Sequence, residues 1–363
     1  MASKVVALVV VAVVAVAAIA GAAIFILGNQ GEKPQAITDC AGNEIKFDSV
    51  PTRIASMNAL STEIICELGL IDNLVAVQSD AGVFDVTDFI YGIDIDINYP
   101  AELKKRIADG TIKQVAKTTG WTFDQVMTAN PDLVVFNKNT SNLKVMAQLQ
   151  EAGVTCLVTH DTGSDFTSLD PIYNNMDMLG KAFGKTSISD NYNKQMKETV
   201  KKITDKCSTY TKGKSVEFLS YWEGNHTLYA YGEKNMKTAT ARELGCKQVM
   251  GEGKGSMAVT IENVLEVDPD VLIVGPASST DNMQSIKTTL SADPLWSELK
   301  AVKNNHVYFI EYNANQSLSY WTHHYIHGIA LIAAIIFDEM GVNVPSVVTN
   351  ADYLNYIKWV KDL

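Results

Sequence analysis

Arginine is almost missing from this chain. Of its 363 residues only Arg53, Arg106 and Arg242 carry a guanidinium, within 30 Lys+Arg against 41 Asp+Glu. An acidic chain with so few forked cations lacks the basic patches that nucleic acid requires. Bidentate clamping of an anionic ligand is also disfavoured, although lysine still attracts one. Cysteine is scarce and unpatterned. Cys40, Cys66, Cys156, Cys207 and Cys246 show neither Cys-x-x-Cys nor zinc-finger spacing. Their odd number leaves at least one outside any intrachain disulfide. Cys66 and Cys156 lie in apolar stretches and read as small core residues. Catalytic patterns are missing too. There is no Gly-x-Ser-x-Gly and no Ser/His/Asp order. Gly251-Glu252-Gly253-Lys254-Gly255-Ser256 lacks the Gly-x-x-x-x-Gly-Lys-Ser/Thr order of a phosphate loop and reads as a mobile loop. These absences point away from an enzyme.

One long apolar run is present. Val5 to Leu27 has no charge in 23 residues, enough to span a bilayer at about 1.5 Å per residue. Lys4 before it leaves the C-terminal bulk outside. A secretory signal cut near Ala20-Gly21-Ala22-Ala23 is one reading. An uncleaved anchor is the preferred one, because Ile24-Phe25-Ile26-Leu27 would make an unusual mature N-terminus. Either way the remainder is exported. No cysteine directly follows the run, so a bacterial-type lipid anchor is not supported. Sequons at Asn139, Asn225 and Asn315 suit an exported chain.

The chain says one sentence twice. Thr122-Phe123-Asp124-Gln125-Val126 precedes Pro131-Asp132-Leu133-Val134-Val135. Thr260-Ile261-Glu262-Asn263-Val264 precedes Pro269-Asp270-Val271-Leu272-Ile273. In each copy a carboxylate stands before a Pro-Asp that opens an apolar, β-branched run. Each predicts a short helix that ends before proline and feeds a buried parallel strand. Two copies imply two lobes of similar build, each with an acid on an exposed helix start.

The rest of the chain alternates in the same way. Short strands at Ile54, Val75, Val134, Leu157, Phe218, Ile273 and Phe309 are separated by helical stretches, which predicts mostly parallel, doubly wound α/β sheets. Pro171 to about Tyr210 has almost no strand signal and reads as one or two helices joining the lobes. The expected organisation is an anchor or signal helix over 1–28, a linker over 29–36, an N-terminal α/β lobe over 37–170, a connecting helix over 171–210 and a C-terminal α/β lobe over 211–363.

Several segments resemble the substrate-binding proteins of ATP-binding-cassette importers, in the helical-backbone class that carries iron-siderophore, haem and cobalamin ligands. They are Ile37 to Ile45, Pro51 to Ser56, Glu63 to Gly69, Asn130 to Val134, Leu149 to Val154, Met178 to Gly184, and Asp293 to Trp296 with Leu299 to Asn304. The resemblance covers about residues 36 to 340. It implies two α/β lobes bridged by a long helix, a ligand in the cleft between them, a modest closing motion and no permanent cofactor. It also implies docking of one carboxylate per lobe onto basic residues of an ABC permease, which works with its ATPase. By motif those are Asp124 and Glu262; Asp124 is one methylene shorter than the family's Glu. Two exposed acids make a two-point docking surface that favours on-rate and orientation. The resemblance leaves iron chelate, haem and corrinoid open as ligand, with the chain a monomer at the extracytoplasmic membrane face.

In such sheets ligands lie beyond the carboxyl ends of strands. Those ends nominate Met57, Asn58, Asp80, Asn137, Lys138 and His160 in the first lobe. In the second they nominate Tyr221, Trp222, Tyr229, Tyr231, Tyr312 and Trp321. The aromatic set suits a planar macrocycle or aromatic chelate; cross-strand packing is the alternative for Tyr229 and Tyr231. His323 and His327 stand one helical turn apart and are candidate metal ligands. That leaves two further readings. One is a direct metal-ion receptor using His323, His324 and His327 with an acid from the other lobe. The other is a ligand-sensing domain uncoupled from transport.

Overall fold

The computed structural model describes residues 32–78, 99–115, 121–138, 140–160, 166–211, 213–248, 250–251, 255–319, 322–338, 342–356 and 359–360. Val5–Leu27, Asp80, Asn139, Trp321 and the middle of the Gly251–Ser256 loop lie outside them. Among the described residues no helix is long and apolar enough to cross a membrane.

Two sheets form from two separate stretches of chain. The first stretch begins with an antiparallel ribbon, β1 (Ile37–Thr38) and β2 (Glu44–Ile45). It continues through β3 (Ile54–Ser56), α1 (Ala59–Glu67), β4 (Leu74–Gln78), α2 (Tyr99–Ala108) and β5 (Lys113–Val115). It ends with α3 (Phe123–Met127), β6 (Leu133–Asn137), α4 (Thr140–Glu151) and β7 (Thr155–Thr159). The strand order is β5-β4-β3-β6-β7, all parallel. The chain therefore winds outward from β3 in both directions. Alternate residues feed two cores. Ile54, Val135 and Leu157 face one, while Ala55, Val134 and Phe136 face the other.

Helices α5 (Asp170–Ala182) and α6 (Thr186–Thr211) follow. Gly184 separates them at φ +62°, a left-handed turn that ends α5. The 26 residues of α6 span about 39 Å. At Gly180 a Cβ would lie 2.2 Å from Ser189 Oγ, so glycine sets how closely the two helices approach.

The second sheet draws on β8 (Ser215–Trp222), β9 (Thr227–Tyr231), α7 (Met236–Glu243), β10 (Lys247–Gln248), β11 (Ser256–Val259), α8 (Ile261–Val267) and β12 (Val271–Pro276). The remaining elements are α9 (Met283–Ser291), α10 (Lys300–Lys303), β13 (Val307–Ile310), α11 (Tyr312–Ser317), α12 (Tyr325–Ile336) and β14 (Val347–Val348). Its order is β11-β9-β8-β12-β13-β14, with β10 also on β8. This sheet is mostly parallel, as expected, but β9 runs antiparallel to β8 and to β11. The physical reason is the short turn at Glu223-Gly224-Asn225-His226, far too short for the crossover that a parallel pair needs. Helix α12 is buried along its whole length, against Met196, Val200 and Ile203 of α6 among others.

Helix α1 lies at the seam. Leu60 packs into the core that holds α12, whereas Ile64, Ile65 and Cys66 pack into the core of the first sheet. From Leu60 to Glu67 it is buried on every side.

The repeated sentence folds the same way in both stretches. Thr122 caps α3 in a reciprocal box with Gln125, and Thr260 caps α8 in the same box with Asn263. Asn130 and Asp268, each just before the proline, take left-handed φ of 46° and 39°. Then each Pro-Asp carboxylate holds the start of a neighbouring strand. Asp132 accepts from the Thr52 and Arg53 amides at 2.9 and 3.1 Å, and Asp270 accepts from the Ser215 amide and hydroxyl at 2.8 and 2.9 Å.

Candidate functional site

The twin boxes leave Asp124 and Glu262 exposed in the first turns of α3 and α8. Glu262 is held below the usual carboxylate range by its own backbone amide and the Thr260 hydroxyl, so it is ionised at neutral pH. Beside it, Tyr221, His226, Leu290 and Asp293 line a groove of about 520 Å³.

The aromatic strand-end residues divide by the period of two. Ser220 faces Tyr229 across the hairpin and Trp222 faces Thr227, so Trp222, Tyr229 and Tyr231 share one face. Trp222 is 44% exposed there. Tyr229 accepts from Asn225 Nδ2 at 3.2 Å. Tyr231 donates to Ser220 Oγ at 3.0 Å and carries the Lys237 ammonium 4.3 Å from its ring centre. Burial pushes the Tyr231 hydroxyl up, but Lys237 and Ser220 outweigh it and leave its pKa lowered. Lys237 itself is buried and donates to Asn315 Oδ1 at 2.8 Å. Tyr312, half-buried, is the first residue of α11, three residues before Asn315. Tyr221 faces the other way, into the core of Leu228, Val264 and Leu272.

In the first sheet the nominated residues have local tasks. Met57 is 1% exposed and packs with Val134 and Phe136. Asn58 caps α1, accepting from the Leu60 and Ser61 amides. Asn137 accepts from Asn142 Nδ2 at 2.9 Å, and Lys138 donates to the Cys40 carbonyl at 3.2 Å. His160 donates its amide to Asn175 Oδ1 and borders a groove of about 420 Å³ with Cys40 and Asp177.

All three arginines are engaged. Arg53 holds the Asn130 and Ala129 carbonyls behind α3, Arg106 pairs with Asp72 and Glu102, and Arg242 reaches the Phe166 carbonyl. Asn315 is buried against the Pro276 carbonyl, at 3.1 Å, and Lys237, which removes it as a glycan acceptor.

His323, His324 and His327 are buried, and each has its own neighbours. His323 donates from Nε2 to Asn193 Oδ1 at 3.0 Å and meets the Tyr192 ring edge-on. Burial and neighbouring His324 push its pKa down to about 3, so it stays neutral. His327 lies edge-on to Tyr353. It is His324, between them, that faces acids. Among the described residues, the one group of His, Cys, Asp and Glu side chains able to share an ion is Glu63, Glu67 and His324, with ligand atoms within 4.8 Å of one another. The sequence reading missed Glu63, Glu67 and Tyr99 here. The signal was available as two glutamates one turn apart in a helix whose other positions carry no charge.

Comparison with known proteins places the chain in a class. A family model described as periplasmic binding protein matches residues 54–314, and the chain belongs to that family. It is a binding protein and not an enzyme. It is 24% identical over 282 residues to YvrC of Bacillus subtilis, an ABC transporter substrate-binding lipoprotein, covering 77% of this chain and 78% of that one. It is 24% identical over 148 residues to the high-affinity heme uptake system protein IsdE of Staphylococcus aureus, covering 40% of this chain and 50% of that one. The fold matches a periplasmic binding protein from Veillonella parvula at a TM-score of 0.67, with 18% identity, covering 86% of this chain and 94% of that one.

Proposed function

We propose that this chain is the extracytoplasmic substrate-binding component of an ABC importer. It captures an iron chelate or haem between its two sheets, with a corrinoid less favoured by the relatives, and delivers it to a permease and its ATPase. The observation that carries the reading is the pair of matched capping boxes. They present Asp124 and Glu262 as exposed acids at equivalent places in the two stretches of a binding-protein fold. Trp222, Tyr229 and Tyr231 supply the aromatic wall of the cargo site, and the engaged arginines disfavour highly anionic cargo. In this reading residues 37–170 and 211–363 are the lobes and 171–210 connects them. Residues 1–28 tether a monomer to the outer membrane face. Relatives named as lipoproteins support that location, while the absence of a cysteine after the apolar run favours a helix over a lipid as the tether.

The test is charge reversal. The double variant D124K/E262K should bind cargo as the wild type does and lose uptake in cells carrying the importer. Uptake that survives reversal would overturn docking through these two acids.

A further inference from the structure

The cluster around Glu67 is unused by cargo capture and is built as a site. Glu63, Glu67 and His324 are each no more than 3% exposed. Glu63 and Glu67 stand one turn apart on α1, whereas His324 leads into α12, so the donors come from opposite sides of the seam between the two cores. His324 Nδ1 contacts Glu63 Oε1 directly. Three of the four carboxylate oxygens, Glu63 Oε2 and both of Glu67, have no hydrogen-bond partner among the described residues. The buried Tyr99 hydroxyl is likewise without one. Unpaired carboxylate oxygens this deep are costly, and two ionised glutamates side by side need a compensating positive charge.

We propose that Glu63, Glu67 and His324 hold a resident divalent cation that ties the first sheet to the second. A divalent ion offsets both carboxylate charges and takes up oxygens that nothing else satisfies. Donors sharing one such ion at about 2.0–2.2 Å lie within about 4.4 Å of each other, so small side-chain rotations close the observed set. The supports of a metal site are present. Thr322 donates to Glu63 Oε1 at 2.6 Å and fixes that carboxylate. Tyr99 stacks on the His324 ring with centroids 6.4 Å apart and planes 17° from parallel, which fixes the imidazole. One imidazole with two carboxylates suits zinc, manganese or ferrous iron better than magnesium or a soft-ligand ion. Complete burial makes the ion a fixture rather than cargo, so the site stands whether or not the transport reading does.

The test uses the full chain, purified, stripped with a chelator and given no cargo. Zinc, manganese and cobalt(II) are titrated in turn, with stoichiometry by elemental analysis and cobalt(II) visible absorption as the site-specific signal. The expected result is one ion per chain, a cobalt band, and a rise in melting temperature. E67Q keeps the shape of the side chain and should lower affinity at least 100-fold while melting cooperatively. E151Q, on the exposed end of α4, should bind as the wild type does. Absence of stoichiometric binding, or equal affinity in folded E67Q and the wild type, would overturn the site.

Discussion

Replacing Glu67 with Gln should change how the stability of the metal-free protein depends on pH. Glu67 is 1% exposed and neither of its oxygens has a hydrogen-bond partner among the described residues. Burial, and after it the charge of Glu63, pushes its pKa well above the usual carboxylate value. The neighbouring Cys66 and Tyr99 are pushed up as well, chiefly by burial, so they stay protonated and lend no charge. A raised folded-state pKa means that the native protein keeps a proton which the unfolded chain releases near its ordinary value. The associated stability is whole below the unfolded value and is lost as pH rises towards the folded one. For one proton the slope is about 1.4 kcal/mol per pH unit. Wild type should therefore lose about that much per unit relative to E67Q over the interval. Urea denaturation of both proteins in chelator, from pH 5 to 8, reads the difference. E67Q should gain steadily on the wild type. Curves that stay parallel would refute the reasoning, because they would mean that Glu67 ionises in the fold as readily as outside it.

Other outcomes follow from single contacts. Gly328→Ala would place a Cβ 2.3 Å from the Ser317 carbonyl, forcing α11 and α12 apart; a loss of about 1–3 kcal/mol is expected in urea denaturation, and none would contradict the packing. Asp270→Ala leaves the Ser215 amide and hydroxyl without their acceptor, and Asp132→Ala does the same to Thr52 and Arg53. The part-buried Asp270 anchor should cost about 1–3 kcal/mol and the exposed Asp132 anchor, whose donors water reaches, about 0.5–1.5 kcal/mol; no loss at Asp270 would contradict the anchoring. Trp222, 44% exposed on the aromatic face, should report cargo by a change in fluorescence that W222F removes. A change that persists in W222F would move the cargo elsewhere.

Much of this was legible in the residues. The repeated Thr-x-Asp/Glu-x-Val and Pro-Asp units foretold both short helices and both buried strands, because capping and pre-proline geometry are local. The connecting segment read as one or two helices, and the left-handed turn at Gly184 divides it into α5 and α6. Other features are not local. The period of two separates Tyr221 from Trp222, but only strand pairing shows which of them joins Tyr229 and Tyr231. Spacing along one helix suggested His323 with His327. Chain topology instead set His324 against Glu63 and Glu67, more than 250 residues earlier in the chain. The sequon at Asn315 was equally blind to burial, since its side chain is taken by Lys237 and Pro276.

Calorimetric titration of the purified chain with haem, a ferric hydroxamate, a ferric catecholate, ferric citrate, cobalamin and free divalent ions tests the central claim most directly. The account predicts one-to-one binding of a single chelate or macrocycle, weakened at least 10-fold in a W222A/Y229A variant and unchanged in H323N. Failure of every chelate and macrocycle to bind, or equal affinity in the aromatic variant, would contradict it.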